Sequence, residues 1–172
     1  MAEAYLRHEE PKDCEAIRNI VYAAFLNHPQ HLPGSLPTEH KIVDCLRESG
    51  ALALSIVYVD NGEIVGHVAF SPVLINGEML GWYGIGPIAV RPDRQGQGIG
   101  SSLMNEGIRQ IKEIGASGIV LVGDPNYYCR FGFKSVPELT LDGVPAKYFM
   151  GLSISGAIPP GAVTFHDAFN VS

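Results

Sequence analysis

Between Ile88 and Asp124 the chain reads as strand, short loop, helix and strand, and the loop carries glycine at Gly96, Gly98 and Gly100. Glycine weakens a helix by up to about 1 kcal/mol relative to alanine, so three at a helix entrance mark a place that needs bare backbone. The run ending in Ala89-Val90 predicts a strand. The helix extends to about Ile114 with Ile99, Leu103, Ile108 and Ile111 inward, Gly115 ends it, and "GIVLVGD" comes next as a buried strand. A strand-helix-strand crossover makes its two strands parallel. It also places unpaired N–H groups and the positive end of a helix dipole at one point, which is an anion site.

Around this unit the pattern is simpler. Tyr5 to Arg7 predicts a short strand, and Lys12 or Asp13 opens a helix carrying Ile17, Val21 and Phe25 at helical spacing. "NHPQHLPGSLP" is a proline-rich loop, after which Thr38 caps a second helix with Ile42, Val43 and Leu46 that stops at Gly50. "ALALSIVYV" and "EIVGHVAFSPV" form a hairpin through Asp60-Asn61-Gly62, and Asn76-Gly77 turns the chain into "MLGWYGIGPIAV". Three antiparallel strands therefore precede the parallel crossover. "PNYYCRFGF" holds a short helix, and the remainder, with "YFMGLSIS" and "AVTFHDAF", supplies two or three more strands.

The 172 residues, 46% of them hydrophobic, suit one domain spanning 1–172 with a core that requires no staples. A net charge of -6 and no basic stripe argue against nucleic acid. Cys14, Cys45 and Cys129 are odd in number and far apart, so neither a disulfide framework nor a thiolate metal site is expected. The N-terminus lacks a signal-peptide pattern, and no stretch is apolar enough to span a bilayer. A soluble, cytoplasmic protein without a membrane or metal partner is expected, as monomer or homodimer. His28 and His31 read as loop surface rather than metal ligands.

Spacing decides among anion loops. A nucleotide P-loop requires lysine before the final Ser/Thr, but Gly100-Ser101-Ser102 offers none. Gly84-Ile85-Gly86-Pro87-Ile88-Ala89 matches the dinucleotide fingerprint, yet it lies within a strand and opens no helix. What remains is Gln95-Gly96-Gln97-Gly98-Ile99-Gly100 after "IAVRPDR". It resembles the [QR]-x-x-G-x-[GA] signature of the GNAT superfamily of N-acetyltransferases, and "GHVAFSPV", "GPIAVRPDRQGQGIG", "GDPNYYCRFGF" and "HDAF" resemble one bacterial branch of it.

The resemblance implies an α/β (α+β) acyl-CoA N-acyltransferase fold, with a central mixed, mostly antiparallel sheet flanked by about four helices. It implies acetyl transfer from acetyl-CoA to a primary amine on a small molecule or peptide, by direct attack in a ternary complex. A non-catalytic acyl-CoA-binding sensor of the same fold is the alternative. By the same resemblance the phosphates lie on the N–H groups of Gln95, Gly96, Gln97, Gly98, Ile99, Gly100 and Ser101, with Arg91 or Arg94 as aids. The reacting groups lie between two splayed strands, Tyr83–Val90 and Ile119–Asp124. Pro87 interrupts the first, exposing backbone groups along Ile88, Ala89 and Val90, with the Ile88 N–H as oxyanion donor. Tyr128 takes the position of the usual general acid. Glu39 is the first candidate for the base and His67 the second. Cys129, beside Tyr128, raises an acyl-cysteine route, but no adjacent histidine activates it.

Overall fold

The computed structural model describes residues 3–26 and 36–170. β1 (Ala4–His8) leads through a single 3-10 turn into α1 (Cys14–Phe25), and α2 (Glu39–Glu48) ends where Gly50 takes φ +78°. Thr38 stands at the α2 N-cap but its side chain makes no capping bond. Its N–H instead donates to Glu39 Oε1 at 3.1 Å. The proline-rich loop, with His28 and His31, lies outside the described residues apart from its last part.

β2 (Leu54–Asp60) and β3 (Glu63–Pro72) form the expected hairpin, with Asn61 and Gly62 both at positive φ. Two such residues match the right-handed twist of the strands they join. β4 (Leu74–Ile75) precedes the Asn76-Gly77 turn and β5 (Trp82–Val90) comes after it. α3 (Ile99–Glu113), β6 (Gly118–Val122) and the one-turn α4 (Pro125–Tyr128) complete the crossover region. The C-terminal part holds four strands rather than two or three: β7 (Lys134–Ser135), β8 (Leu139–Thr140), β9 (Phe149–Ser153) and β10 (Gly161–Thr164). "HDAF" is helical rather than extended, because His166 Nδ1 accepts the Ala168 N–H at 2.9 Å and starts a 3-10 turn over Asp167–Asn170.

The main sheet has the order β1-β2-β3-β5-β6-β9-β7, antiparallel except where β5 meets β6 in parallel. A small sheet, β4-β10-β8, stands apart from it. α3 covers one face through Ile99, Leu103, Met104, Ile108 and Ile111, packed with Ile56, Val68 and Phe70. Each such fully buried side chain contributes roughly 1.5–3 kcal/mol. α1 and α2 cover the other face, where Ile17, Val21 and Val43 meet Val57, Val59 and Ala89. A further core of Trp82, Val120, Phe149 and Val163 joins the small sheet to the main one. No helix among the described residues is long and apolar enough to cross a membrane.

Two glycines bring α3 close to the sheet. A Cβ on Gly66 would lie 2.8 Å from Ile99, and one on Gly107 would lie 2.5 Å from the Phe70 ring. Alanine favours a helix over glycine by about 1 kcal/mol, but inserting a methyl against a fully buried ring costs about 1–3 kcal/mol. A Cβ only 2.5 Å from a fully buried ring draws on the upper part of that cost, a net loss of about 1–2 kcal/mol, so Gly107→Ala is expected to lower Tm by roughly 2–8 °C; a calorimetric scan showing an unchanged or raised Tm would contradict this packing.

Candidate functional site

β5 pairs with β6 over three residues, Trp82↔Gly118, Tyr83↔Ile119 and Gly84↔Val120, and not beyond. On its other side it continues along β3, with one irregularity: Val68 faces Ile88 and Phe70 faces Ile85, so β5 carries an extra residue there. The bulge falls at Gly86-Pro87, a cis peptide with Gly86 at φ +151°. Proline cannot donate to a ladder and is tolerated at such bulges. After the bulge the Arg91 N–H donates to the Val65 carbonyl at 2.9 Å. Pairs alternate along an antiparallel ladder, so His67↔Ala89 is bonded while Gly66↔Val90 and Val68↔Ile88 are not. The backbone groups of Ile88 and Val90 therefore point away from β3, into the gap where β6 has left. Gln95 Nε2 donates to the Val90 carbonyl at 3.1 Å there.

The glycine loop borders the outer end of this gap. Gly96 and Gly98 sit at φ +79° and +84°, where a side chain would be strained, and Gly98 is the N-cap of α3. The first helical bond runs from the Ser102 N–H to the Gly98 carbonyl at 3.0 Å. The N–H groups of Ile99, Gly100 and Ser101 thus open the helix without an intrahelical acceptor. Gly100 is small for a different reason: a Cβ would lie 3.2 Å from the Tyr127 hydroxyl. A cleft of about 420 Å3 is lined by Gln95, Gly96, Gly98, Ile99, Gly100 and Ser101, with Ala89 and Val90 from the strand. Gln97 is not on it; its Oε1 accepts from Arg94 Nε at 2.9 Å.

A larger cleft of about 830 Å3 opens on the inner side, where Pro87, Ile88, Asp124 and Tyr128 meet Glu39 of α2 and residues after β7. Phe25, Ile88, Tyr127 and Tyr128 line both clefts, so the two adjoin at the parted strands. Asp124 is held in place by accepting the Asn126 N–H at 2.9 Å. Gly123 leaves the space that the Tyr128 ring occupies. That ring packs edge-on to Tyr127 at 4.9 Å, and burial, with lesser help from Tyr127 and Asp124, pushes its phenol up to about 12. Tyr128 is therefore a protonated hydrogen-bond donor throughout the physiological range.

The other predicted residues lie elsewhere. Arg91 is engaged by Asp93 and Glu63, and Arg94, though on the smaller cleft, pairs with Asp60 at 2.7 Å. Neither is a loose cation awaiting a phosphate. Arg130, in sequence a mere neighbour of Cys129, lines the smaller cleft and stacks on the Tyr127 ring at 4.4 Å. Cys129 is exposed, with Sγ 3.6 Å from the Asn126 carbonyl. Among the described residues no group of three or more His, Cys, Asp or Glu could hold a metal ion.

His67 is fully buried and lines neither cleft. Glu9 Oε1 accepts from Ser55 Oγ at 2.5 Å, and Ser55 Oγ lies 2.8 Å from His67 Nε2. The hydroxyl has one proton, given to the carboxylate, so Nε2–H is the donor to Ser55 and Nδ1 carries a bare lone pair. Glu9 is in turn gripped by Arg47 at 2.8 and 3.0 Å. Burial lowers the imidazole to about 4, opposed by Glu9 and assisted by Arg47. This is a structural histidine on the face of the sheet that α1 and α2 cover, flanked by Val57 and Ala89, and it reaches neither cleft.

The acetyltransferase (GNAT) family matches residues 14–133. The chain belongs to that family. It is thereby an N-acetyltransferase of the GNAT type, and its mixed sheet with four helices matches solved members. It is 45% identical over 139 residues to the N-acetyltransferase YhbS of Escherichia coli K12, covering 77% of this chain and 83% of that one. The crystal structure of a GNAT acetyltransferase from Brucella melitensis in complex with acetyl-CoA superposes with a TM-score of 0.84 at 44% identity, over 97% and 98% of the two chains. That of E. coli YhbS in complex with CoA gives 0.87 at 33% identity, over 99% and 94%.

The His67 environment has a measurable consequence within this GNAT chain. An unfolded histidine takes up a proton near 6.5, whereas the folded one resists until about 4. Its contribution to stability is complete above 6.5 and is lost as pH falls toward 4, up to about 3 kcal/mol. Denaturant titrations from pH 7.5 to 4.5 should show this decline, and His67→Gln, which still donates to Ser55, should flatten it. Parallel pH profiles for the two proteins would remove the assignment.

Proposed function

We propose that the protein transfers the acetyl group of acetyl-CoA to a primary amine by direct attack in a ternary complex. The observation that carries this is the adjoining of two chemically different clefts at Ile88 and Tyr128. One is walled by backbone donors suited to phosphate, and the relatives from Brucella melitensis and E. coli are seen with acetyl-CoA and CoA. The other has room for an acceptor.

In this reading the pyrophosphate rests on the N–H groups of Gln95, Gly96, Gly98, Ile99, Gly100 and Ser101, and Arg130, in the turn after α4, adds a cation. The pantetheine arm lies against the strand groups of Ile88 and Val90; those of Ala89, bonded to His67, are not open to it. The Ile88 N–H, turned into the gap by the bulge, donates to the acetyl oxygen as it gains negative charge. Nitrogen bonds to the carbonyl carbon, the carbon–sulfur bond breaks, and CoA leaves as thiolate. Tyr128 donates a hydrogen bond to that sulfur. Full proton transfer from a phenol at about 12 to a thiolate near 8.5 is uphill by about 5 kcal/mol, so the thiolate takes its proton from water after departure.

The amine must lose a proton to attack. For an acceptor with a lysine-like pKa of ~10.4 this costs about 4.6 kcal/mol at pH 7. Glu39, on the larger cleft, receives that proton through water and passes it to solvent. His67, fully buried and on neither cleft, takes no part.

The test has two arms. CoA and acetyl-CoA at a hundred times Kd should raise Tm by several degrees, about 2.7 kcal/mol, while ATP and NAD should not; no shift with CoA would end the proposal. Tyr128→Phe should lower kcat about 10- to 1,000-fold with the CoA shift retained, and full activity in that variant would remove Tyr128 from the chemistry.

A further inference from the structure

The family match ends at residue 133, yet much of the larger cleft is built by residues beyond it, among them Leu141, Asp142, Phe165 and Phe169. The two phenylalanines meet β5 at its two glycines. A Cβ on Gly84 would lie 2.6 Å from the Phe165 ring, and one on Gly86 would lie 3.6 Å from the Phe169 ring. Gly84 and Gly86 are thus seats for two aromatic side chains, not part of a nucleotide loop. The rings pack edge-to-face at 5.1 Å, which fixes each against the other. Phe25 stands on the side of the cleft made by α1.

The polar lining has one sign. Glu39 comes from α2, Asp124 from the end of β6 and Asp142 from the loop after β8, whereas no described lining residue is Lys or Arg. A cation entering here meets carboxylates, and an acceptor bearing its own carboxylate meets repulsion without a compensating guanidinium. The cleft volume, about 830 Å3, falls in the range of small-molecule sites.

We infer that the acceptor is a small primary amine with an aromatic, uncharged body, its ring against Phe165 and Phe169 and its ammonium directed to Glu39 and Asp142. The C-terminal segment, through its two phenylalanines, is then the specificity-determining part of the chain. Burying a ring there contributes to kcat/KM in proportion to the apolar contact made. This inference rests on the acetyl-transfer reading above.

The intact protein at saturating acetyl-CoA is assayed for thiol release with four probes: phenethylamine, phenylalanine, putrescine and a short peptide with an N-terminal alanine. Phenethylamine should exceed each of the others in kcat/KM by about tenfold or more. Phe165→Ala, and Gly84→Ala through displacement of the same ring, should reduce that advantage about tenfold, chiefly by raising KM for the amine. The thermal shift with CoA reports that each variant is folded and donor-competent. Phe165→Ala keeps the test decisive if Gly84→Ala does not fold. Faster turnover of putrescine or the peptide, a preference for phenethylamine that survives Phe165→Ala, or a CoA shift with no phenethylamine turnover would each overturn the inference. Absence of any CoA shift would instead defeat the acetyl-transfer reading beneath it.

Discussion

β5 and β6 start as ordinary parallel partners and separate after Gly84 and Val120, and this separation is the constraint on which the rest of the site depends. A strand that leaves its neighbour exposes backbone groups, and exposed groups in an interior are costly unless something meets them. Here the bulge at Gly86-Pro87 inserts one residue, and the phase of β5 against β3 changes across it. Without the extra residue, Ala89 rather than Ile88 and Val90 would face the gap. β3 stays bonded to β5 on both sides of the bulge, so the opening is held by a continuous sheet on one flank.

The rigidity of that flank comes from the packing of α3. Gly66 and Gly107 let the helix approach until Ile99, Leu103 and the Phe70 ring interlock. Interiors packed at this density do not deform continuously, so the helix entrance stands at a defined place beside the gap. On the opposite face, Arg47 links Glu9 of the β1 end to Asp44, and Asp44 also holds Arg18 of α1. Glu9 continues through Ser55 to His67. Individual exposed pairs contribute little; this connected chain runs beside the apolar packing of Ile17, Val21 and Val43 that seats α1 and α2 on the sheet. Those two helices bring Phe25 and Glu39 to the clefts.

Where local chemistry determines local structure, the chain was legible before folding. Apolar, β-branched runs marked β2 and β3, the 3.6-residue period marked α1, α2 and α3, and Asn61-Gly62 dictated its turn. The glycine loop was readable because backbone donors need no long-range partner to form. What escaped was set by distant contacts. Gly84 and Gly86 look like a poor nucleotide motif until Phe165 and Phe169, some eighty residues later, are seen to pack against them. His67 carries nothing in its neighbouring sequence to distinguish a base from a core residue; Ser55, Glu9 and the helices packed over that face decide it. Arg130 becomes a cleft residue only because α4 folds back over the loop. The helical turn at "HDAF" arises from the His166 side chain capturing its own backbone, a competition that period counting does not register.

The two clefts differ in how their chemistry is encoded. The smaller cleft presents main-chain N–H groups, which every residue type but proline supplies, so its sequence requirement is conformational: Gly96 and Gly98 for positive φ, Gly100 for the nearness of Tyr127. The larger presents side chains from α1, α2, the end of β6 and the segment after β8, so its requirement is for particular residue types. Tyr128 lies at their junction, and its properties belong to both. The burial that raises its phenol to about 12 makes it a poor proton source, but it also removes competing water and strengthens the hydrogen bond it can give. In the proposed transfer, a group placed there would serve the departing sulfur by stabilising charge rather than by neutralising it. On that proposal the handling of protons would fall to the amine side, where the carboxylates of the larger cleft lie.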